Sequence, residues 1–336
     1  MKKIIIPFAI LALTLFGISC ERDNVEEEGP QLLDLFADFT FVEPFSVAQK
    51  SADFSSGEKI TFNAKFNKLA NWNLTITGLS SNSKKMFEGT TNELNVDNAS
   101  WDGSTSQIPI FKEEDCVVDF WVLEDSTHYF DTISITGTKI NDGFLIADFE
   151  SGQLDPDWTG FVQSGANMSF VVSSDTTAAQ GDFYYDMGGA VGWDYLIGLI
   201  DFPASAYDVP HYPLSENANN VFFNAMIYNP PGITNGFFVV QFQEDDNGNG
   251  VFNASNEDGY QFSIGGPDGI VTLKPGWQLI SVPYSEMVID GQNGNKTLNP
   301  DKVIQMSILF LADPTSGYSQ GYLDYVIFTE NGPLNP

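Results

Sequence analysis

Residues 220–228, NVFFNAMIY, and residues 236–243, GFFVVQFQ, are the stretches that decide the fold. In each, one set of alternate residues is apolar or aromatic, as with Phe238, Val240 and Phe242 in the second stretch. An alternation with a period of two places one set of side chains on the buried face of a β-strand and the other set towards solvent. The segment between them, NPPGITN, is typical of a turn. The two stretches therefore predict half-buried strands, although the alternation does not say which strands pair.

The same alternation recurs along the rest of the chain, between turn residues. It appears in the segments KITFNAKF, WNLTITGL, CVVDFWVL, DTISITGT, ANMSFVVSS, YQFSIGG, WQLISVPY, VIQMSILFL and GYLDYVIF. Aromatic residues make up 14% of the chain, and periodic runs of the helix-forming residues Ala, Leu, Glu and Lys are scarce. The sequence therefore predicts an all-β fold.

The strand pattern breaks at residues 139–144, KINDGF, where one series of strands ends in turn residues and another begins. The segment before the break, residues 35–140, has about the size of one immunoglobulin-like sandwich. The segment after it, residues 141–336, is longer and suits a jelly roll of two packed sheets. We therefore expect an N-terminal immunoglobulin-like sandwich followed by a larger β-jelly-roll domain.

The first residues of the chain have the pattern of a targeting signal. Lys2 and Lys3 precede an apolar run, residues 4–16, which is too short to cross a membrane as a helix. Small residues then lead to Cys20, and this arrangement resembles a bacterial lipoprotein signal. The resemblance implies that residues 1–19 are removed and that Cys20 carries lipid. An ordinary cleaved signal with an incidental cysteine is the alternative.

The segment that follows, residues 20–34, begins CERDNVEEEG and lacks apolar periodicity, which predicts a solvated acidic tether. An acidic run directly after the cysteine also resembles the surface-export signal of Bacteroidetes-type lipoproteins. That resemblance implies a location on the outer membrane, with the chain lipid-anchored and facing the cell exterior.

Charge and composition exclude several functions. The chain has a formal net charge of −31, and Arg22 is its only arginine, so it repels phosphate backbones and nucleic-acid binding is excluded. Anionic polysaccharides are disfavoured for the same reason, whereas neutral sugars and divalent cations are compatible. With Cys20 lipidated, Cys116 has no partner for a disulfide and is expected in the core. The two histidines, His128 and His211, offer little material for a metal cluster or a catalytic triad.

Three segments of the second module resemble carbohydrate-binding jelly rolls: FLIADFESG at 144–152, PGWQLISVPYSEM at 275–287 and GYLDYVIF at 321–328. The first module, with GEKITFNAKF and DTISITGT, resembles the immunoglobulin-like or PKD-like domains of surface glycan-binding proteins. Together with the lipid signal, the chain resembles the surface glycan-binding lipoproteins encoded beside Sus-type transporters, in a SusE-like position. This resemblance implies non-catalytic binding of a neutral polysaccharide for delivery to a SusC/SusD-like transporter complex. The first candidate ligand is a β-glucan such as laminarin.

Sugar recognition requires flat aromatic faces and a few well-placed polar groups. The best candidate is YYDMGGAVGWDYLIG at 184–198, in which Trp193 and Tyr195 lie in a glycine-rich loop. We expect these rings to stack on sugar and Asp194 to accept hydrogen bonds from hydroxyls. The alternative is that Trp193 closes the end of the core.

Two further loop aromatics are candidates for the same role. Trp158 lies in LDPDWTGF and Tyr318 in DPTSGYSQG, just before the last strand. Trp277 begins an alternating strand and is expected in the core. The tryptophans of the first module are expected in its core or on its spacer surface; they are Trp72, Trp101 and Trp121.

Two acidic groups suggest calcium, which prefers carboxylate and carbonyl oxygens. Asp148 and Glu150 are two residues apart on the opening strand, and Asp324 is on the closing strand. If these strands meet, as the resemblance to jelly rolls implies, the three carboxylates could hold one ion. A solvent-facing acidic edge is the alternative.

The second acidic group lies in QEDDNGNGVFNASNEDGY. Asp245, Asn247 and Asn249 match the start of an EF-hand-type loop, but the twelfth position is Asn256 and no helical pattern flanks the segment. We therefore expect either a calcium-binding loop or a merely polar loop between strands.

Two other functions stay open at this point. A jelly-roll glycoside hydrolase needs a pair of carboxylates across the scissile bond, and acids are abundant. However, the one E-x-D-x-x-E match, residues 21–26, lies in the predicted tether and not in a strand. The one G-x-S-x-G match, residues 317–321, leads into a strand pattern and not into the helix of a nucleophile elbow. The other alternative is a structural adhesin. We expect no enzymatic activity.

Overall fold

β-Strands supply nearly all the regular structure of the computed structural model, which describes residues 38–174 and 177–336. No α-helix occurs in those residues, and the all-β prediction is confirmed. The same residues contain four short 3₁₀ turns between strands, at Phe54–Ser56, Ala204–Tyr207, Tyr284–Glu286 and Pro300–Lys302. In the described part of the chain, no helix has the length and apolar character needed to span a bilayer. The predicted signal, the lipidation of Cys20 and the tether lie outside the described residues and stay predictions.

Seven strands from the first part of the chain form one sheet. They are β1 (Phe41–Val47), β2 (Ser51–Asp53), β3 (Ile60–Gly78), β4 (Lys84–Leu94), β5 (Ser100–Trp101), β6 (Asp115–Val122) and β7 (His128–Gly137). The strand order is β1-β3-β6-β7-β2, and β4 and β5 both pair with β3. All pairs are antiparallel except β2 with β7.

The long strand β3 shows why this sheet forms. Its alternate residues, among them Phe62, Leu74 and Ile76, are buried, while the residues between them are largely solvent-facing. Buried rings and aliphatic side chains from β3, β6 and β7 make one core. Cys116 lies in this core, and its burial raises the pKa of the thiol to about 12, as expected for a small apolar core residue.

Twelve strands follow in the described residues of the second part of the chain. They are β8 (Phe144–Ala147), β9 (Thr159–Val162), β10 (Ala166–Ser173), β11 (Tyr184–Ala190), β12 (Leu196–Pro203), β13 (Val221–Asn229), β14 (Gly236–Glu244), β15 (Asp258–Ile264), β16 (Gly276–Pro283), β17 (Val288–Gln292), β18 (Val303–Ala312) and β19 (Ser319–Glu330). One six-stranded sheet has the order β10-β11-β19-β13-β16, with β8 beside β19. The other has the order β17-β15-β14-β18-β12-β9.

The inward faces of these two sheets share a core rich in aromatic residues. Phe238, Val240 and Phe242 of β14 are buried in it, in agreement with the alternation in the sequence. Phe223 of β13 contacts Phe242 with ring centroids 6.2 Å apart, and so joins one sheet to the other. Two sheets that bury one face each leave their outward faces and their connecting loops available for binding.

The two parts of the chain touch at a small set of contacts. The Ile110 N–H donates to the Ala179 carbonyl at 2.8 Å, and the Lys139 ammonium donates to the Asn335 carbonyl at 2.7 Å. An apolar cluster that includes Met226 and Leu334 packs against Ile108 and Ile110.

Candidate functional site

The loop between β11 and β12, residues 191–195, presents two aromatic rings to solvent, and we call it the Trp193 loop. Trp193 is 66% exposed and Tyr195 is 52% exposed, whereas Val191 at the start of the loop is buried in the core. An atom placed at the Cβ position of Gly192 would meet nothing within 4 Å, so the loop stands clear of the sandwich there. The exposure contradicts the alternative in which Trp193 closes the end of the core.

The backbone beneath these rings is held by hydrogen bonds. Asp194 accepts from the Leu196 N–H at 3.3 Å and from the Gln163 side-chain amide at 3.1 Å. The Tyr195 carbonyl accepts the Ala312 N–H at 2.9 Å, which ties the loop to the end of β18. The rings are therefore exposed side chains on a fixed support, the arrangement that a stacking platform needs.

Tyr318 lies in the neighbouring loop, between β18 and β19. Because Ala312 ends β18 and bonds to Tyr195, the loop that contains Tyr318 begins beside the Trp193 loop. Tyr318 is 38% exposed, and burial, followed by the nearby charge of Asp186, raises the pKa of its hydroxyl. The fold thus brings Trp193, Asp194, Tyr195 and Tyr318 to one end of the sandwich.

Gly188 on β11 makes room for Tyr318. A Cβ built on Gly188 would lie 2.8 Å from the Tyr318 hydroxyl oxygen and 3.2 Å from the Ser319 carbonyl oxygen. The Tyr318 carbonyl also accepts from the Asn235 side-chain amide at 3.3 Å. The position of the Tyr318 ring therefore depends on a residue 130 positions earlier in the sequence.

Trp158 lies elsewhere. It precedes Thr159, which pairs with Asp201 near the opposite end of β12 from the Trp193 loop. Its ring is half-buried and packs against Phe202, with centroids 4.9 Å apart. The structure therefore does not place Trp158 with the other candidates, and its role as a ligand contact stays a prediction.

Trp277 packs in a cluster of aromatic side chains. It is half-buried, its ring lies 5.3 Å from that of Tyr228, and its indole N–H donates to the Thr177 carbonyl at 2.8 Å. This agrees with a structural role at the start of β16.

A row of polar side chains on one outward sheet face was not predicted from the sequence. Asp201 accepts from the Ser307 hydroxyl at 2.5 Å and from the Thr159 hydroxyl at 3.2 Å. The row continues across β14 and β15, where the Gln241 amide donates to Gln261 at 3.0 Å. The period-two pattern indicates that these residues face outwards, but only the strand order makes them neighbours.

The opening and closing strands of the second part meet, as expected. β8 pairs with β19, with Ala147 opposite Val326. Asp324 is buried and accepts the Gln180 and Tyr325 N–H groups at 2.9 and 2.7 Å. Burial raises the pKa of Asp324 well above its ordinary value despite these bonds, and the charge of Glu150 raises it further.

Glu150 and Asp148 also bind backbone groups. Glu150 accepts the N–H groups of Asp182 and Phe183 at 2.9 Å, and burial, followed by the charge of Asp148, raises its pKa against those bonds. Asp148 accepts the Glu150 N–H at 3.2 Å. Across residues 38–174 and 177–336, no group of three His, Cys, Asp or Glu side chains has the arrangement of a metal site. Calcium binding here stays a prediction.

The residues of the EF-hand-like segment organise their own loop. Asp245 is buried and accepts the N–H groups of Gly248, Asn249 and Gly250 at 2.7, 3.0 and 2.7 Å. Burial opposes its ionisation, but these bonds and one from His211 outweigh burial and lower the pKa of Asp245.

The two candidate asparagines of this segment, Asn247 and Asn249, also contact loop groups. The Asn247 amide donates to Glu257 at 2.6 Å, and the Asn249 side-chain oxygen accepts the Val251 N–H at 2.9 Å. These side chains stabilise a loop between β14 and β15, and calcium binding there also stays a prediction.

No protein-family model and no curated protein matches the sequence. Among solved structures, a carbohydrate-binding module from the β-sandwich superfamily, described for its promiscuous specificity, is similar at 13% identity and a TM-score of 0.38, over 87% of this chain and 98% of that one. The family 11 carbohydrate-binding module from Clostridium thermocellum, in complex with a β-1,3-1,4-mixed-linked tetrasaccharide, is also similar. It has 16% identity and a TM-score of 0.37, over 57% of this chain and 98% of that one.

A third similar structure is SGBP-B from a complex xyloglucan utilization locus in Bacteroides uniformis. It has 11% identity and a TM-score of 0.34, over 86% of this chain and 73% of that one. These proteins are of the general kind that the sequence motifs resemble. Similarity at this level does not assign a ligand to this chain.

Proposed function

We propose that this protein binds a neutral polysaccharide at the loop end of its second part, without cleaving it. The observation that carries the proposal is the pair of rings in one glycine-containing loop, Trp193 at 66% and Tyr195 at 52% exposure. Large aromatic rings held out in water on a fixed backbone are suited to cover the apolar face of a sugar ring.

Neighbouring groups support a sugar rather than a purely apolar ligand. Asp194 offers carboxylate oxygens beside the rings, and the Tyr318 hydroxyl can donate or accept on the adjacent loop. The net charge of −31 disfavours polyanionic glycans, which leaves neutral polymers. A β-glucan such as laminarin is the first polymer to test.

The proposal extends to location and partners. Lipidation of Cys20 would hold the protein on the outer membrane, facing the exterior, and the acidic tether would give the binding end reach. A SusC/SusD-like transporter complex is the proposed recipient of the bound glycan, from a SusE-like position. Calcium, at the acidic groups described above, is proposed as a structural cofactor only.

Affinity electrophoresis of the full chain tests the function. The gels contain laminarin, mixed-linkage β-glucan, xyloglucan or glucomannan, and the polymer is analysed afterwards for released oligosaccharides. Retardation without product supports binding. Released oligosaccharides would instead make the protein a glycoside hydrolase, and neither retardation nor product would favour an adhesin.

Labelled palmitate tests the anchor separately from the binding end. Incorporation into the wild type but not into a Cys20→Ala variant is expected. Equal labelling of both would overturn the anchor without touching the binding proposal.

A further inference from the structure

The outward face of the first sheet carries three aromatic rings in a row, Trp121, His128 and Phe130. The Trp121 and His128 centroids are 6.1 Å apart with planes at 26°, and those of His128 and Phe130 are 5.9 Å apart at 14°. Strand register explains the row, because Trp121 pairs with His128 across β6 and β7. Phe130 lies two residues further along β7 and so shares that face. We call these three side chains the first-sheet platform.

The first-sheet platform faces solvent. Phe130 is 68% exposed, the largest exposed fraction of any Phe, Tyr or Trp in the described residues. Half of the His128 side chain is also exposed, and Trp121 is half-buried. Trp72 and Trp101, in contrast, are buried in the core of the same sheet. Trp121 is therefore not a core residue, which decides one of the alternatives left open by the sequence.

Polar side chains flank the platform on its own sheet face. Asp119 is the cross-strand neighbour of Phe130, and its carboxylate lies 2.7 Å from the Nδ1 atom of His128. Asn73 is the cross-strand neighbour of Trp121 and accepts the Thr75 hydroxyl through its side-chain oxygen at 3.0 Å. That bond leaves the two N–H donors of the Asn73 amide for another acceptor. Donors and acceptors therefore stand beside the rings.

The surroundings indicate which ligand fits. The cross-strand row through Trp121 continues over Asn73 to Glu88, and the row through Phe130 continues over Asp119 and Thr75 to Met86. Neither row holds a lysine or an arginine, whereas each row holds one acidic residue, so the rows disfavour an anionic ligand. A short row of rings flanked by polar side chains also differs from the extended apolar patch of a protein interface. Rings beside hydrogen-bonding groups suit a neutral carbohydrate.

We propose that the first-sheet platform is a second carbohydrate-binding surface, which takes the same neutral polysaccharide as the Trp193 loop. The ligand class rests on the proposed function. A polysaccharide repeats its units, so one polymer can contact both surfaces of one chain. Binding at the first surface raises the effective concentration of polymer at the second, and the pair binds more tightly than either alone.

Affinity electrophoresis of full-chain variants tests the second surface. Phe130→Ala removes the most exposed ring, and Ile140→Ala, at 69% exposure, is the matched control outside the platform. On whichever gel polymer retards the wild type, we expect Phe130→Ala to bind about two- to tenfold more weakly, the size of one aromatic contact. Ile140→Ala should bind like the wild type. Both variants should keep the wild-type melting temperature, because both side chains lie at the surface.

Combination with Trp193→Ala separates the two proposals. Residual binding of Trp193→Ala should fall further in the double variant with Phe130→Ala. If Phe130→Ala binds with wild-type affinity and only Trp193→Ala loses binding, the second surface is overturned and the proposed function stands. If the wild type binds none of the polymers, both the proposed function and the second surface are overturned.

Discussion

Replacing Trp193 by alanine removes the more exposed ring of the Trp193 loop, and its effect on affinity can be worked out from the structure. A tryptophan side chain can bury up to about 250 Å², and Trp193 is 66% exposed in the free protein. If a sugar ring covers half of the exposed surface, about 80 Å² of apolar area leaves water on binding. At about 25 cal/mol per Å², this corresponds to about 2 kcal/mol, or about a 30-fold loss of affinity in Trp193→Ala.

The fold should tolerate this change. The Trp193 ring is exposed, and the hydrogen bonds that fix the loop involve the Asp194 side chain and the Tyr195 backbone. The free energy of unfolding should therefore change by less than about 0.5 kcal/mol. Val251→Ala is the matched control, because Val251 is also 66% exposed and lies in the loop between β14 and β15, at the other end of the sandwich.

Isothermal titration calorimetry with the polymer that retards the wild type gives the affinities, and thermal denaturation gives the stabilities. Trp193→Phe should recover part of the lost affinity because a smaller ring still covers part of the sugar. Wild-type affinity in Trp193→Ala would refute the assignment of the binding surface to this loop. A large fall in melting temperature would instead mean that the ring supports the fold.

Three further predictions concern the support of this site and the buried acids. Gly188→Ala should displace Tyr318, because the new Cβ would lie 2.8 Å from the Tyr318 hydroxyl oxygen, and this overpacking should cost about 1 kcal/mol of stability. In urea denaturation, the double variant with Tyr318→Phe should recover most of the lost stability. An equal loss in the single and the double variant would contradict the contact. Burial raises the pKa of Glu244 from 4.5 to about 8, so the folded state holds the Glu244 proton more tightly than the unfolded state does. As the pH rises from 4.5 to about 8, the free energy of unfolding should therefore fall by up to about 1.4 kcal/mol per pH unit. Glu244→Gln should remove this pH dependence and be more stable than the wild type at pH 9, because a glutamine oxygen can still accept from the Tyr284 hydroxyl and the Asn299 N–H. Parallel curves of stability against pH for the two proteins would argue against a raised pKa. Calcium added to chelator-treated protein should raise its melting temperature, because a cation would favour the ionised form of Asp324, whose pKa is raised by burial and then by the charge of Glu150. An unchanged transition at millimolar calcium would count against both acidic sites.

Local patterning accounts for much of what the sequence predicted. The alternation in 220–228 and 236–243 requires only that each strand bury one face, and this is a property of consecutive residues. The all-β fold and the burial of Phe238 and Phe242 follow from it. Gly192 beside Trp193 similarly favoured a loop, and the exposed ring agrees.

Tertiary structure decided which side chains became neighbours. Tyr318 reaches the end that carries Trp193 because β18 and β12 pair, whereas Trp158 is carried towards the other end by the antiparallel run of β9 against β12. The first-sheet platform arises from the register of β6 with β7, which sets Trp121 beside His128. Pairing between strands depends on contacts distant in sequence, and a shift of one residue in register would turn a platform ring into the core. The alternation of a single strand is the same in every register, so it carries no information about its partner.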